Sequence, residues 1–248
     1  MEQAVSIALS RQMTLRRAMD IVANNIANAN TTAYKAESPV FNEFLMPEAE
    51  AEDRGYGKAA ALSFVLDTGT HRDLAEGNIT HTGNPFDVAI TGDGFFSVET
   101  ANGVRYTRAG HFTVDNTNQL VTPMGDPVLS NAGAPITINP DDGAVEIARD
   151  GTISAGGNTI GRLGVVNVEN PGAMKKTGDN YLETEQDAVP VENATVMQGF
   201  IESSNVKPVV EMTRMIEVMR AYTSTQKTIN DMGDLQQSAI RQLGREPN

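Results

Sequence analysis

The stretch "IVANNIANANTTAYK", Ile21 to Lys35, joins an apolar helical stripe to four asparagines set within seven positions, Asn24, Asn25, Asn28 and Asn30. Asparagine is a poor helix former, and its amide offers a donor and an acceptor but no acid-base chemistry. Upstream, apolar or small residues recur at Val5, Ala8, Leu15, Met19, Val22, Ile26 and Ala29 in steps of three and four, with Gln12 as the one polar interruption. This spacing predicts a helix with a narrow apolar seam, about 35 to 40 Å long at ~1.5 Å per residue. Asn24 and Asn28 fall one turn apart beside Val22 and Ile26, where uncharged amides can set the register of a packed partner. Asn30 falls where the helix is expected to stop, and it can end the helix by bonding its own backbone.

The C-terminal region repeats the device, with Met212, Met215, Met219, Tyr222, Gln226 and Ile229 spaced three, four, three, four and three. Methionines at helical spacing read first as helix-helix packing. Between the two helices the period changes to alternation, as in "FDVAITGDGFFSVETANGVRYTRAGHFTVD" and "VEIARDGTISAGG". Gly92-Asp93-Gly94, Asn102-Gly103, Asn116 to Asn118 and Asp150-Gly151 read as tight turns between short strands. The expected fold class is α+β: long N- and C-terminal helices paired as a coiled-coil-like element around a central, mainly antiparallel β domain. A seam on one helix cannot be buried alone, so the first and last helices are expected to pair. The expected organisation is an N-terminal helix over 1–38, an extended connector over 39–80 with the acidic patch "PEAEAED", a β domain over 81–200 and a C-terminal helix over 201–248.

At 248 residues and 40% apolar composition the chain can bury a sizeable core. It has no cysteine, which excludes a disulfide framework, a thiolate zinc site and a cysteine nucleophile. The net charge of −13 is unevenly spread: residues 1–35 carry four basic and two acidic side chains and 205–248 carry six and five. That leaves nine basic against 25 acidic side chains, a net −16, in residues 36–204. Such a body does not suit phosphate backbones, so no nucleic acid partner is expected. No apolar run long enough for membrane insertion occurs, and "MEQAVSIALSRQM" lacks the features of a cleaved secretory signal.

The pattern nearest to an enzyme's is "SFVLDTGTHRD", in which Asp67-Thr68-Gly69 resembles an aspartic-protease half-site and "TIGRLG", Thr159 to Gly164, its supporting segment. A working dyad needs a second carboxylate sharing a proton, which here only a homodimer could supply. The bland reading is a strand end followed by a glycine turn. His71, His81 and His111 have no helix-spaced metal-ligand pattern, and the glycine clusters lack the lysine and the strand-turn-helix context of a phosphate loop. No catalytic residue, metal or cofactor is expected.

"NNIANANTTAYK", Asn24 to Lys35, resembles the N-terminal signature of flagellar basal-body rod and hook proteins, and "ESSNVKPVVEMTRMIEVMRAYTSTQK", Glu202 to Lys227, resembles their C-terminal one. Between them "TGNPFDVAITGDGFFSVET", "YTRAGHFTVD" and "QLVTPMGDPVL" are similar to the family's β blocks, so the resemblance runs nearly the whole length in order. Within the family the blocks look most like proximal-rod subunits, with distal-rod and hook-type subunits as alternatives. The resemblance implies a non-enzymatic axial subunit, exported through the flagellar export apparatus without a cleaved signal. It also implies stacking with copies of itself and neighbouring rod subunits in the part of the basal body that crosses the periplasm. The assembly residues are expected to be Val5, Ala8, Leu15, Met19, Val22, Asn24, Asn25, Ile26, Asn28, Asn30, Asn205, Met212, Met215, Met219, Tyr222 and Ile229. The chain departs from relatives in having Ala33 where they commonly have glycine after "NTT", and Asn118-Gln119 where glycine precedes "LVT". Asparagine tolerates a left-handed backbone. Alanine at positive φ costs roughly 1 kcal/mol, so the backbone at Ala33 is expected to avoid it.

Overall fold

The computed structural model describes residues 2–46, 62–191 and 193–243. Helix α1 spans Glu2–Ala27 and helix α2 spans Pro208–Leu243. Proline at the first position of α2 removes an amide that has no helical partner there, and the Lys207 carbonyl accepts from Val210 and Glu211 to open the first turn. After α1, strands β1 (Glu37–Met46) and β2 (Leu62–Arg72) pair as a two-stranded sheet. The stretch expected to be an extended connector therefore contains a strand pair. Its acidic patch lies outside the described residues.

The chain continues through β3 (Ile79–His81), β4 (Val88–Thr91), β5 (Phe95–Thr100), β6 (Gly103–Thr107), β7 (Thr113–Val114) and β8 (Leu120–Val121). Then come β9 (Val145–Ile147), β10 (Thr152–Ala155), β11 (Asn158–Arg162), β12 (Val165–Val168), β13 (Lys175–Lys176) and β14 (Leu182–Glu183). The series ends with β15 (Ala188–Pro190), β16 (Thr195–Gln198) and β17 (Phe200–Glu202). Six strands form a sheet in the order β13-β14-β6-β5-β12-β15, three form β11-β10-β9, and β16-β4, β17-β3 and β7-β8 pair separately. From β3 onward every strand pairing is antiparallel. The expected turns fall between strands: Gly92 and Gly94 between β4 and β5, Asn118 at φ 64° between β7 and β8, and Gly151 at φ 86° between β9 and β10.

Alternation along the strands builds a core on each face of the six-stranded sheet. Phe96 and Val165, cross-strand partners, join Val88, Phe112, Leu120 and Ile153 in one cluster, and Phe95 and Val166 join Val168, Met174 and Leu182 in the other. Phe96 meets Phe112 edge to face with centroids 5.1 Å apart. Gly110 permits the closest approach: a β carbon there would stand 1.6 Å from the Val88 carbonyl oxygen, while the Gly110 carbonyl accepts from Val88 at 2.8 Å.

The chain forms two compact units. One comprises residues 1–27, 37–71 and 207–248, with both helices and the β1-β2 pair; the other comprises residues 28–36 and 72–206. The segment just after α1, "NANTTAYKA", thus belongs with the β strands. No helix among the described residues is long and apolar enough to cross a membrane.

Candidate assembly interface

In the helical unit, α1 and α2 pack against each other, and the most buried line on α1 is offset by one position from the expected seam, sharing Val22 with it. Val22 and Ile21 are buried with Ala18, while Val5, Ala8, Leu15, Met19 and Ile26 are half-buried. Gln12 is a bridge as well as a break in the stripe: its amide donates to the Tyr222 hydroxyl at 3.0 Å and also bonds Gln226. On α2 the contact line runs through Glu211, Met215, Val218, Tyr222, Thr225 and Ile229, in steps of four and three. Met215, Tyr222 and Ile229 were expected on it. Met212 and Met219 are each about half exposed (53% and 52%) and lie beside the line. Two overlapping registers share Met215, Tyr222 and Ile229, and methionine looks more apolar than Glu211 and Thr225. The polar pair that selects the other register has a signal only after its partner on α1 is known.

That partner is Asn25, 1% exposed. Its side chain treats residue 37 as a strand treats its neighbour: Nδ2 donates to the Glu37 carbonyl at 2.8 Å and Oδ1 accepts from the Glu37 amide at 3.0 Å. Nδ2 also reaches Glu211 Oε2 at 3.1 Å, and Glu211 Oε1 meets Arg214 at 3.3 Å. A buried amide with these bonds satisfied fixes helix and strand together. Asn25 therefore holds the place expected of Asn24 and Asn28. Asn24 is exposed, and Asn28 lies beyond the last helical residue, where its carbonyl accepts from Thr31 and its Oδ1 from the Thr31 hydroxyl. The helix stops at Ala27, before the exposed Asn30.

In the β unit the two signature segments meet. The Ala33 amide donates to the Glu202 carbonyl at 2.8 Å, the Asn205 amide to the Tyr34 carbonyl at 3.2 Å, and the Ala36 amide to Asn205 Oδ1 at 2.7 Å. Asn205 Nδ2 donates to the carbonyls of Asp73 and Ala75, and Asn180 donates to the Thr32 carbonyl. Here the expectation for Ala33 is overturned: φ is +55°, left-handed, with the side chain buried. Its amide bond to Glu202 and the Asn180 bond to the preceding carbonyl hold the turn, so the local cost of about 1 to 2 kcal/mol is borne by surrounding structure.

Glu202, 1% exposed, is the centre of this junction. Oε1 accepts from Lys35 at 2.5 Å and from the Gly77 amide at 2.9 Å, and Oε2 accepts from Arg108 Nε at 2.8 Å. Burial pushes the Glu202 carboxyl up, but the Gly77 amide, Lys35 and Arg108 outweigh it and hold it below the usual carboxylate range. Arg108 also donates to the carbonyls of Gly92 and Gly94, and Lys35 to that of Ala75. Neither Glu202 nor Arg108 was an expected site residue. A charged residue in an otherwise apolar strand, as Glu202 in "FIE", is the one clue the sequence carries.

The protease pattern does not take its expected shape, because the strand β2 runs on through Asp67, Thr68 and Gly69 to Arg72 instead of ending in a turn. The Asp67 side chain lies outside the described residues. Among the described residues no cluster of three potential metal ligands occurs.

The geometry and the comparisons with known proteins agree on which segments matter. A family model described as flagella basal body rod protein matches residues 6–35, and one described as flagellar basal body rod FlgEFG protein C-terminal matches 197–242. A third, flagellar hook protein FlgE/F/G D1 domain, matches 89–155. The chain is 44% identical over 247 residues to the flagellar basal-body rod protein FlgF of Caulobacter vibrioides, covering 99% of each chain. It is 34% identical to FlgF of Mesorhizobium japonicum over 98% of this chain and 99% of the relative. With the flagellar basal-body rod protein FlgG of Bacillus subtilis it shares 31% identity, over 94% of this chain and 96% of the relative.

Proposed function

Because this chain belongs to the flagellar basal-body rod protein family and is most like its FlgF members, we propose that it is a non-enzymatic axial subunit of the proximal rod, polymerising helically to transmit torque. The observation that carries this reading is the apolar face left open on the helical unit. Val209, Met212, Ile216 and Met219 follow one another at helical spacing on α2, each more than half exposed, and Leu9 and Met13 are as open on α1. Apolar burial at ~25 cal/mol per Å² is the largest stabilising term available to such a face. A row of large apolar side chains on one helix marks an interaction surface.

In this reading α1 and α2 pair as a coiled-coil-like inner element, Asn25 sets its register, and the remaining seam residues with Asn205 hold the copy together while the open stripe meets neighbouring copies and rod subunits. The helical ends, the connector over 39–80 and the β domain over 81–200 then serve as assembly element, spacer and outer body. The chain passes the flagellar export apparatus and takes its place in the rod across the periplasm. A strain lacking the gene tests this: it should be non-motile and regain motility with the native chain but not with Met219→Lys, and a reconstruction of its basal bodies should carry density for the chain in the rod. Full motility of the Met219→Lys strain would count against the helical stripe as the assembly surface.

A further inference from the structure

Helix α2 carries two overlapping lines of contact residues and buries the less apolar of them. The buried line runs through Glu211, Met215, Val218, Tyr222, Thr225 and Ile229. The other keeps Met215, Tyr222 and Ile229 but takes Met212, Met219 and Gln226 in place of Glu211, Val218 and Thr225. Both have the three-four spacing of a helix seam. Apolar burial alone favours the line with the two further methionines, since burying an acid and a threonine gains little. Yet Met212 and Met219 stay more than half exposed, while Glu211 is 7% exposed. A polar contact, not apolar area, therefore chooses the face that α2 turns to α1.

The two lines share three positions and shift the other three by one residue. Successive residues on a helix stand ~100° apart, so a rotation of about 50° around the axis of α2 exchanges one line for the other. Gln12 does not make the choice, because its partners Tyr222 and Gln226 both belong to the line with the methionines. Asn25 does. The Glu37 amide and carbonyl hold its side chain in place, and Nδ2, which carries two hydrogens, bonds both the Glu37 carbonyl and Glu211 Oε2 at 3.1 Å. A donor fixed on a buried face favours an acceptor opposite it, and rotation would put Met212 there instead.

We propose that Asn25 and Glu211 are the specificity-determining pair of the helical unit: they rotate α2 into the less apolar line and so reserve Met212 and Met219 for a second copy of this chain. A buried polar pair that fixes one register at the expense of apolar burial is the best-attested use of such pairs. Without it α2 turns its methionines inward against α1, and the subunit covers with its own helix the surface it would offer to the next. This inference rests on the reading of the open stripe as the assembly surface and adds what keeps that stripe open.

The chain has no cysteine, so a single introduced thiol reports its own exposure. In the full-length chain Met219→Cys should react with a maleimide several-fold faster than Val218→Cys. Exchanging the acid between the lines, Glu211→Met with Met212→Glu, leaves α1, the composition and the Asn25 bonds to Glu37 untouched. The order of the two thiols should then reverse, because the carboxylate draws α2 round to Asn25. Apolar burial alone predicts the opposite, since the exchange makes the buried line richer in methionine. Adding Asn25→Leu to the exchange should restore the native order. An unreversed order in the exchanged chain, or a reversal that survives Asn25→Leu, would overturn the proposal. If the exchange melts the helix pair, so that both thiols react equally fast, Asn25→Leu alone decides. Glu211 then faces an apolar side chain and the same reversal is expected; native order or melting there overturns the proposal. Motility separates this contact from the assembly reading. A strain carrying the exchanged chain should lose motility as the thiol order reverses, whereas reversal with full motility would defeat the stripe as the assembly surface and leave the choice of register standing.

Discussion

The two units solve the burial problem in opposite ways. In the β unit Val88, Phe96, Leu120 and Ile153 are wholly buried, and a sheet with apolar side chains on both faces closes its own core. In the helical unit burial concentrates at Ala18, Ile21, Val22 and Asn25 of α1 with Glu211 and Thr225 of α2, while among the described residues α2 keeps seven large apolar side chains more than half exposed. The difference is one of completeness: the β unit finishes its folding within the chain, and the helical unit leaves apolar surface that only further contacts can cover. Slow amide exchange should therefore be found in β5 and β12 and faster exchange in α1 and α2 of the isolated subunit.

The contrast can be broken most forcefully from the β side. Glu202→Ala leaves Lys35 and Arg108 buried without their carboxylate and should cost about 3 to 5 kcal/mol, measured by denaturant unfolding of the β unit. The same cluster makes the β unit acid-sensitive. The Glu202 carboxyl is held below its ordinary 4.5, so the stability it contributes is complete above that pH and is lost as the pH falls through its lower folded value. A pH titration of the unfolding midpoint should show this loss, and it should be absent in the Glu202→Gln variant.

From the helical side, Val22→Ala should cost about 1.5 to 2.5 kcal/mol, at ~0.8 kcal/mol per buried carbon plus a cavity term. It should lower helical ellipticity on heating while leaving the β transition in place; loss of both transitions together would mean that the units do not fold separately. Ala33→Gly relieves a left-handed alanine but adds chain entropy to the unfolded state, and should raise the β transition by less than about 1 kcal/mol. The smallest effect sharpens the comparison: Met219→Lys changes an exposed side chain and should alter subunit stability by no more than about 0.5 kcal/mol, read by thermal unfolding, while preventing assembly.

Much of this architecture was legible in the residues. Periodicity marked both helices and the antiparallel strands between them, because the spacing of apolar residues along one element can be read without knowing its partner. The turns were legible for the same local reason, with glycine and asparagine where the backbone goes left-handed. What was not legible depends on residues far apart. The choice between Met219 and Val218 rests on Asn25 and Glu211 meeting across 186 positions. Nor does Glu202 declare itself, since its three partners come from three separate segments. Ala33 departs from its local propensity for a related reason. A strained residue is tolerable when distant bonds hold it, and propensity carries no knowledge of those bonds.

The bonds from Gln12 to Tyr222 and from Asn25 to Glu211 span 210 and 186 positions. Their span gives the helical unit a clock. Closing so long a loop adds little entropy cost beyond a shorter one, since the cost grows only as the logarithm of length. The delay lies in the order of arrival: whichever end of the chain emerges first, α1 and α2 have no mate until nearly all of it has followed. The β strands, whose partners lie closer, can settle in the interval. The open apolar stripe on the helices is thus completed last, after the core of the β unit.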